Sequence, residues 1–133
     1  MIVKCVRKEK FEYVPELISV GKEYLVLEII FSKKHQSMSY RIINNTGSPV
    51  IYDAQCFTVI SNELKDMVLD KHENWCIITP KRIAESTIGS DNINGFWAHL
   101  FETDDLEALK LVESVVHEIN SDQITDLPEI AIR

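Results

Sequence analysis

The spacing of histidine and cysteine residues is the sequence signal that would indicate a metal site. It contains no HExxH pattern and no CxxC pair, so the zinc signatures with defined ligand spacing are missing. His72 and Cys76 lie four residues apart, but Trp75–Thr79 is predicted to be a strand, along which residues at that spacing are too far apart to share one ion. The sequence therefore predicts no metal and no cofactor.

Nucleophilic catalysis would need a cysteine or serine beside a base. Cys76 with His99 or His117 is a pairing that no local signature supports. Ser90 lacks the Gly-x-Ser-x-Gly frame of a nucleophile elbow, and neither Gly-Ser pair is followed by the Gly-Lys-Ser/Thr of a phosphate loop. We predict that the protein is not an enzyme. A hydrolase or transferase stays as an alternative, because catalytic groups can assemble from distant positions.

Charge is divided unevenly between the two halves of the chain. Residues 1–60 hold eight Lys or Arg and six Asp or Glu, whereas residues 61–133 hold six and fifteen, which gives the net charge of −7. Between Glu102 and Glu129 nine acids accompany one base, Lys110. Such a field repels phosphate backbones and attracts basic proteins, so no direct nucleic-acid binding is predicted through this half. A surface that is acidic only for solubility is the simpler alternative.

Short β-strands are predicted throughout the first 60 residues. Asn44–Pro49 contains Asn and Gly, which adopt positive φ readily, so it is predicted to be the turn of a hairpin. Several short strands joined by short turns are typical of a small curled antiparallel sheet or barrel. The predicted strands are Ile2–Arg7, Glu23–Phe31, Met38–Ile43, Val50–Tyr52 and Cys56–Ile60.

Residues 61–101 have a mixed pattern. Ser61–Lys71 fits either helical turns or an extended arm, and Lys81–Ser86 fits a short helical turn. Trp75–Thr79 is predicted to be a buried strand with Trp75 in the core, and Gly89–Gly95 a loop. Phe96 and Trp97 are interpreted as a hydrophobic plug beneath the following helix, with a binding hot spot as the alternative.

An amphipathic helix is predicted for residues of about 104–120. Thr103 or Asp104 is placed to cap it, and acids in the first turn suit the positive end of the helix dipole. Because so wide an apolar arc needs a sheet to cover it, we predict one domain over 1–133, with a short tail at 121–133 whose end can add an edge strand. The apolar arc comprises Ala108, Leu109, Leu111, Val112, Val115, Val116 and Ile119.

The predicted class is therefore α+β, with a small curled antiparallel sheet or barrel and a long C-terminal amphipathic helix packed on it. No run of 18 apolar residues occurs, and the charged start does not fit a signal peptide. Three cysteines are an odd number, which favours reduced, mostly buried thiols. These features predict a cytoplasmic protein that does not bind membranes.

The segment Leu17–Ile29, LISVGKEYLVLEI, resembles a recurrent bacterial and phage motif that leads into a strand of a small SH3-like barrel. The following segment Tyr40–Phe57, YRIINNTGSPVIYDAQCF, is similar to the next strands of such barrels. This resemblance covers roughly 40 residues and implies an SH3-like N-terminal part, a fold that serves many functions. The matching positions of the motif are Val20, Gly21, Lys22 and Tyr24.

The chain as a whole, with Asn74-Trp75 and Gly95–Trp97 ahead of an acidic helix, resembles bacterial immunity proteins of contact-dependent growth inhibition systems. The resemblance implies a protein that binds and neutralises a cognate toxin, commonly a basic nuclease, as a monomer or as a dimer. An acidic surface would speed that encounter. The hypothesis places this surface at Glu102, Asp104, Asp105, Glu107, Glu113, Asp122, Asp126 and Glu129.

A small-molecule or nucleic-acid binding barrel module of a bacterium or phage is the alternative function. Such barrels bind both kinds of ligand. The first half of the chain offers a modest basic edge for this role, at Lys4, Arg7, Lys8, Lys10, Lys33 and Lys34.

Overall fold

A computed structural model describes residues 1–7 and 17–131, which form an α+β fold. In these ranges the strands are β1 (Ile2–Cys5), β2 (Glu23–Ser32), β3 (Ser37–Ile43), β4 (Pro49–Asp53), β5 (Phe57–Ser61), β6 (Met67–Lys71) and β7 (Trp75–Pro80). The helices are α1 (Lys81–Ala84), α2 (Gly95–Glu102) and α3 (Leu106–Asn120). The five predicted N-terminal strands are confirmed to within two residues at each end.

The strands form one antiparallel sheet that divides at β2. Along one path the order is β4-β3-β2-β1-β5, and β7 pairs with the second half of β2 and carries β6. The predicted hairpin is confirmed, since Tyr40 of β3 pairs with Tyr52 of β4 across the Asn44–Pro49 turn. Its tip is fixed by Asn44, whose Oδ1 accepts hydrogen bonds from the amides of Thr46 and Ser48. Asn and Gly favour a β-turn at this position.

The sheet is strongly curled but open. Tyr40 on β3 and Phe57 on β5 lie three strand positions apart, about 14 Å in a flat sheet. Their ring centroids are only 6.1 Å apart, so the sheet must bend around them. The described strands show no pairing between β4 and β5, which would close the ring. The curled antiparallel sheet is therefore confirmed, whereas a closed barrel is not formed.

Two hydrophobic cores occupy the two faces of the sheet. The inner core lies within the curl and contains Tyr24, Tyr40 and Phe57, together with Cys5 and Cys56. The helix core lies between the other face and the helices, and joins Leu25 and Leu27 of β2 to Leu100 of α2 and Val112 of α3. None of the three cysteines forms a disulfide in the described ranges, and burial raises the pKa of the Cys56 thiol to about 11. The two buried cysteines thus serve as core residues.

The predicted C-terminal helix is confirmed as the fifteen-residue α3. Five of the seven residues of its apolar arc are buried, while Leu109 and Leu111 are half-buried against the helix core. The N-cap is Asp105 instead of Thr103 or Asp104, because the Asp105 Oδ1 accepts the amides of Glu107 and Ala108. Ser121, in the left-handed region, ends the helix.

Within residues 61–133 the structure differs from the sequence-based predictions at four places. Ser61–Lys71 contains a strand, β6, and Phe96 and Trp97 lie in a helix, α2. Trp75 is 44% exposed instead of buried, because the β6–β7 hairpin extends past the helices that cover the sheet. The predicted tail strand is not formed up to Ala131; the rest of it lies outside the described residues.

In the described ranges, none of the helices has the length and apolarity needed to cross a membrane.

Candidate functional site

The acids proposed as a binding surface lie mostly in solvent. Seven of the eight are exposed, and within the described ranges none of these seven forms an ion pair. The next acid along α3, Glu118, differs from them because Arg82 of α1 pairs with it at 2.9 Å. We call the seven the acidic face: Glu102, Asp104, Glu107, Glu113, Asp122, Asp126 and Glu129.

Asp105, the eighth acid, has a structural role. It is half-buried, and its Oδ2 lies 2.8 Å from Nε2 of His99 on α2, while its Oδ1 caps α3. The hydrogen bond with His99 is the largest cause that lowers the pKa of Asp105, and the bonds from the amides of Ala108 and Glu107 act in the same direction. Asp105 therefore joins α2 to α3 and is not part of the acidic face.

Low pH should weaken the contact that Asp105 makes between α2 and α3, and the substitution Asp105→Asn tests this. A carboxylate whose pKa is lowered by folding adds stability above its unfolded pKa, and this stability is lost as the pH falls through the folded pKa. Asp105→Asn keeps a capping side chain but has no charge. We expect the variant to be less stable than the parent near pH 6, with the difference shrinking steadily toward pH 2–3.

Thermal unfolding of both proteins over this pH range measures the effect. His99→Ala removes the same hydrogen bond from the other side, so the double variant should lose less than the two single losses combined. A difference between parent and Asp105→Asn that stays constant from pH 6 to pH 2 would contradict the role of the charge.

Two apolar grooves flank the acidic face where α3 meets the tail segment 127–131. One, of about 330 Å³, lies between Asp104 and Leu109 of the α3 side and Glu129 of the tail segment. The other, of about 370 Å³, lies between Glu113 and the same Glu129. Ile130 lines both grooves. Acids therefore border apolar surface here, which is the combination that protein interfaces use.

A second site, on the uncovered part of the sheet, was not predicted from the sequence. A bulge in β2 creates it: Val26 pairs with Ile42 and Glu28 with Arg41, so β2 advances two residues while β3 advances one. Leu27 is the extra residue, and it shares the helix-side face with Glu28. Without the bulge Glu28 would face the inner core. Bulges that redirect a side chain in this way are frequent beside functional sites.

Glu28, Arg41 and Trp97 form a buried polar cluster at this point. Arg41 Nε donates to Glu28 Oε1 at 3.1 Å, and Trp97 Nε1 donates to Glu28 Oε2 at 3.0 Å. Arg41 Nη1 donates to the carbonyl of Pro49, and the guanidinium carbon lies 4.4 Å from the centre of the Trp97 ring. Burial lowers the pKa of Arg41 and Glu28 opposes that shift, so the guanidinium stays charged.

The cluster lines an open cleft of about 520 Å³, which we call the sheet cleft; Glu28 and Arg41 belong to its floor and Trp97 to its wall. Its floor is one face of strands β2, β3, β4, β6 and β7, and its wall is the loop 86–95 with the start of α2. The wall is firmly placed: a Cβ on Gly89 would lie 2.6 Å from Cβ of His99, and Asn92 donates to Glu102. Clefts of this size commonly hold small ligands.

Thr79 is the unusual residue of the sheet cleft. It is buried at 6% exposure, it lines the cleft, and its Oγ1 has no hydrogen-bond partner among the described residues. A buried hydroxyl left unpaired costs about 1–3 kcal/mol. The chain thus keeps an unsatisfied polar group in the same cleft as the charged cluster.

Comparisons with protein-family models, with curated proteins and with solved structures found no match to this chain. The resemblance of Leu17–Ile29 to a barrel motif, and of the whole chain to immunity proteins, stays a prediction.

The candidate nucleophile and its two candidate histidine partners lie in different parts of the fold. Cys76 is half-buried in β7, and in the described ranges no hydrogen bond joins it to His99 or His117. His72 forms a hydrogen bond with Asp70, and its ring is tilted by 36° against that of Trp75 with the centroids 5.4 Å apart. Where the structure describes the chain, no group of three or more His, Cys, Asp or Glu is arranged to hold a metal.

The basic edge of the alternative function is only partly described. Lys4, Arg7, Lys33 and Lys34 are exposed, and the latter two lie on the β2–β3 turn. Lys33 donates to the carbonyl of His72. Lys8 and Lys10 lie outside the described residues.

Proposed function

We propose that this chain acts by binding a basic protein through the acidic face, in the manner of an immunity protein that neutralises a bacterial toxin. The observation that carries the proposal is that the seven acids are exposed and, within the described ranges, free of ion pairs. Internal salt bridges would use up such charges. Unpaired, they leave a negative field available to steer a positively charged partner.

The grooves beside α3 add the apolar contact that steering alone does not supply. Charges mainly set the rate of association, whereas a few buried anchors set how long a complex lasts. Ile130, together with half-buried Leu109 and Leu127, offers such anchor sites between Asp104, Glu113 and Glu129. The proposed partner is therefore basic and inserts apolar side chains into these grooves.

The test is a fourfold charge reversal, Asp104→Lys, Glu113→Lys, Asp126→Lys and Glu129→Lys. It spares Asp105, which caps α3, and Glu107, whose charge suits the first turn of the helix. The partner to test is a toxin encoded next to the gene of this chain, and for it we expect the association rate to fall about 10- to 100-fold at low ionic strength.

Association is measured at ionic strengths of about 0.01 M and 0.15 M, where the Debye lengths are about 30 Å and 8 Å. The parent should slow with salt, while the variant should respond little. A matched control reverses four exposed acids elsewhere: Glu23, Glu63, Glu73 and Asp91.

Equal losses in both variants would mean that net charge alone matters, and no loss in either would mean that the acidic face serves solubility. Growth protection by co-expression gives an independent result. The parent and the control should protect a toxin-expressing cell, and the reversed variant should not.

A further inference from the structure

We propose that the sheet cleft binds a small uncharged ligand that joins an aromatic or branched aliphatic body to a carboxamide. None of the eight acids considered above lines this cleft, so the site is separate from the acidic face. Two features support the proposal. Apolar side chains of the cleft are exposed to solvent, and polar groups at its floor have hydrogen-bonding capacity that is not used.

The apolar part of the cleft is exposed beyond what folding requires. Ile93, on the wall, is 97% exposed, and Trp75 and Ile51, on the floor, are 44% and 42% exposed. Ile30 and Ile77, which are cross-strand neighbours, lie half-buried between them. Apolar side chains thus line both the wall and the floor of the cleft, so a flat or branched apolar body would find contacts on both sides.

Arg41 and Thr79 are the polar groups at the floor of the cleft that keep unused hydrogen-bonding capacity. Arg41 uses Nε and Nη1 on Glu28 and Pro49, and no hydrogen bond engages its Nη2 in the described part of the chain. Thr79 Oγ1 is buried and unpartnered, and a hydroxyl both donates and accepts. Both residues line the sheet cleft, and a carboxamide has the two complementary groups: a carbonyl to accept from Arg41 and an NH₂ to donate to Thr79.

The charge of the cleft favours a neutral head group over a carboxylate. Glu28 uses both of its oxygens on Arg41 and Trp97 and neutralises the guanidinium charge. Asp70 adds a negative charge at the rim. A carboxylate would approach Arg41 past these two acids and lose its hydration without a net positive charge to replace it. A neutral carbonyl keeps the hydrogen bond from Arg41 and avoids this repulsion.

The probe is 3-phenylpropanamide, and 3-phenylpropanoate, which differs only in the charged head group, is its matched partner. The only two tryptophans of the chain, Trp75 and Trp97, both line the cleft. Their indole N–H signals in ¹⁵N-labelled protein therefore report occupancy directly. We expect both signals to shift with the amide, with a Kd of about 1 mM for a molecule of this size, and at least about tenfold weaker binding of the carboxylate.

Two variants separate this site from adsorption elsewhere. Ile93→Ala removes an exposed wall contact without touching the core, and Ile60→Ala makes the same change on β5, outside the cleft, at a residue that is 51% exposed. Thr79→Val removes the unpartnered hydroxyl while keeping the shape of the side chain. The amide should bind about fivefold more weakly to Ile93→Ala and to Thr79→Val, and unchanged to Ile60→Ala.

Thr79→Val also has a second readout that does not depend on the ligand. The unliganded variant should unfold at the same temperature as the parent or at a higher one, because an unpaired buried hydroxyl is replaced by a methyl group. Weaker amide binding without loss of stability is the expected combination.

Three outcomes would overturn the proposal. The first is an absence of indole shifts up to the solubility limit of the amide. The second is a carboxylate that binds as tightly as the amide. The third is equal binding by Ile93→Ala and the Ile60→Ala control. None of these bears on toxin binding, so the two sites are tested separately.

Discussion

Glu28→Ala is expected to lower the free energy of unfolding by about 3–5 kcal/mol. The loss comes from the partners left behind. Arg41, with a side chain that is 10% exposed, would keep its charge without a counter-ion, and Trp97 would lose the acceptor of its indole N–H. A buried charge left unpaired costs far more than the net worth of the pair it belonged to.

Urea denaturation of the parent and of Glu28→Ala measures this loss. The double variant Glu28→Leu with Arg41→Met is the informative control, because removing both charges leaves no unpaired ion. It should regain much of the lost stability, with the indole N–H still costing about 1–3 kcal/mol. A double variant as unstable as Glu28→Ala would contradict the desolvation account and assign the cost to the shape of the bulge.

Much of the fold follows from local pattern. The strands of the first 60 residues alternate or carry β-branched runs, the Asn44–Pro49 turn has the residues its φ values require, and α3 has an apolar arc matched to 3.6 residues per turn. Each of these signals lies within about ten neighbouring residues. The open sheet could not be predicted in this way, because closure depends on whether β4 meets β5, which are distant in the sheet.

The sheet cleft was missed for a related reason. Glu28 stands in the apolar run EYLVLEIIF, and a lone acid in a buried strand was the available signal. Its importance depends on a bulge that turns it toward Arg41 and Trp97, which are 13 and 69 residues away. The exposure of Trp75 has the same origin, since only the packing of the helices decides which part of the sheet stays uncovered. The exposure of the acids was easier to predict, because charged side chains stay in solvent unless they are paired.

Gly47→Ala is expected to lower the free energy of unfolding by about 3 kcal/mol and to detach the tail segment 127–131 from the Asn44–Pro49 turn. Gly47 has a φ of +85°, and an added Cβ would overlap the carbonyl oxygen of Glu129. The tail cannot yield slightly, because the amide of Ala131 donates to the carbonyl of the same glycine at 2.9 Å. Release would expose Leu127 and Ile130 and carry Glu129 away from both grooves.

Gly21→Ala is the matched control for the backbone conformation. Gly21 has a φ of +90°, and an added Cβ there would meet nothing within 4 Å. Gly21→Ala should therefore lower the free energy of unfolding by only about 1–2 kcal/mol, the cost of positive φ for a residue with a Cβ. The difference between the two variants in urea denaturation is therefore the contribution of the tail contact. Hydrogen exchange at the Ala131 amide should accelerate in Gly47→Ala and stay unchanged in Gly21→Ala. Equal losses of stability with a protected Ala131 amide in both variants would show that the hairpin tip does not hold the tail. In that case the grooves beside α3 would owe their shape to α3 alone.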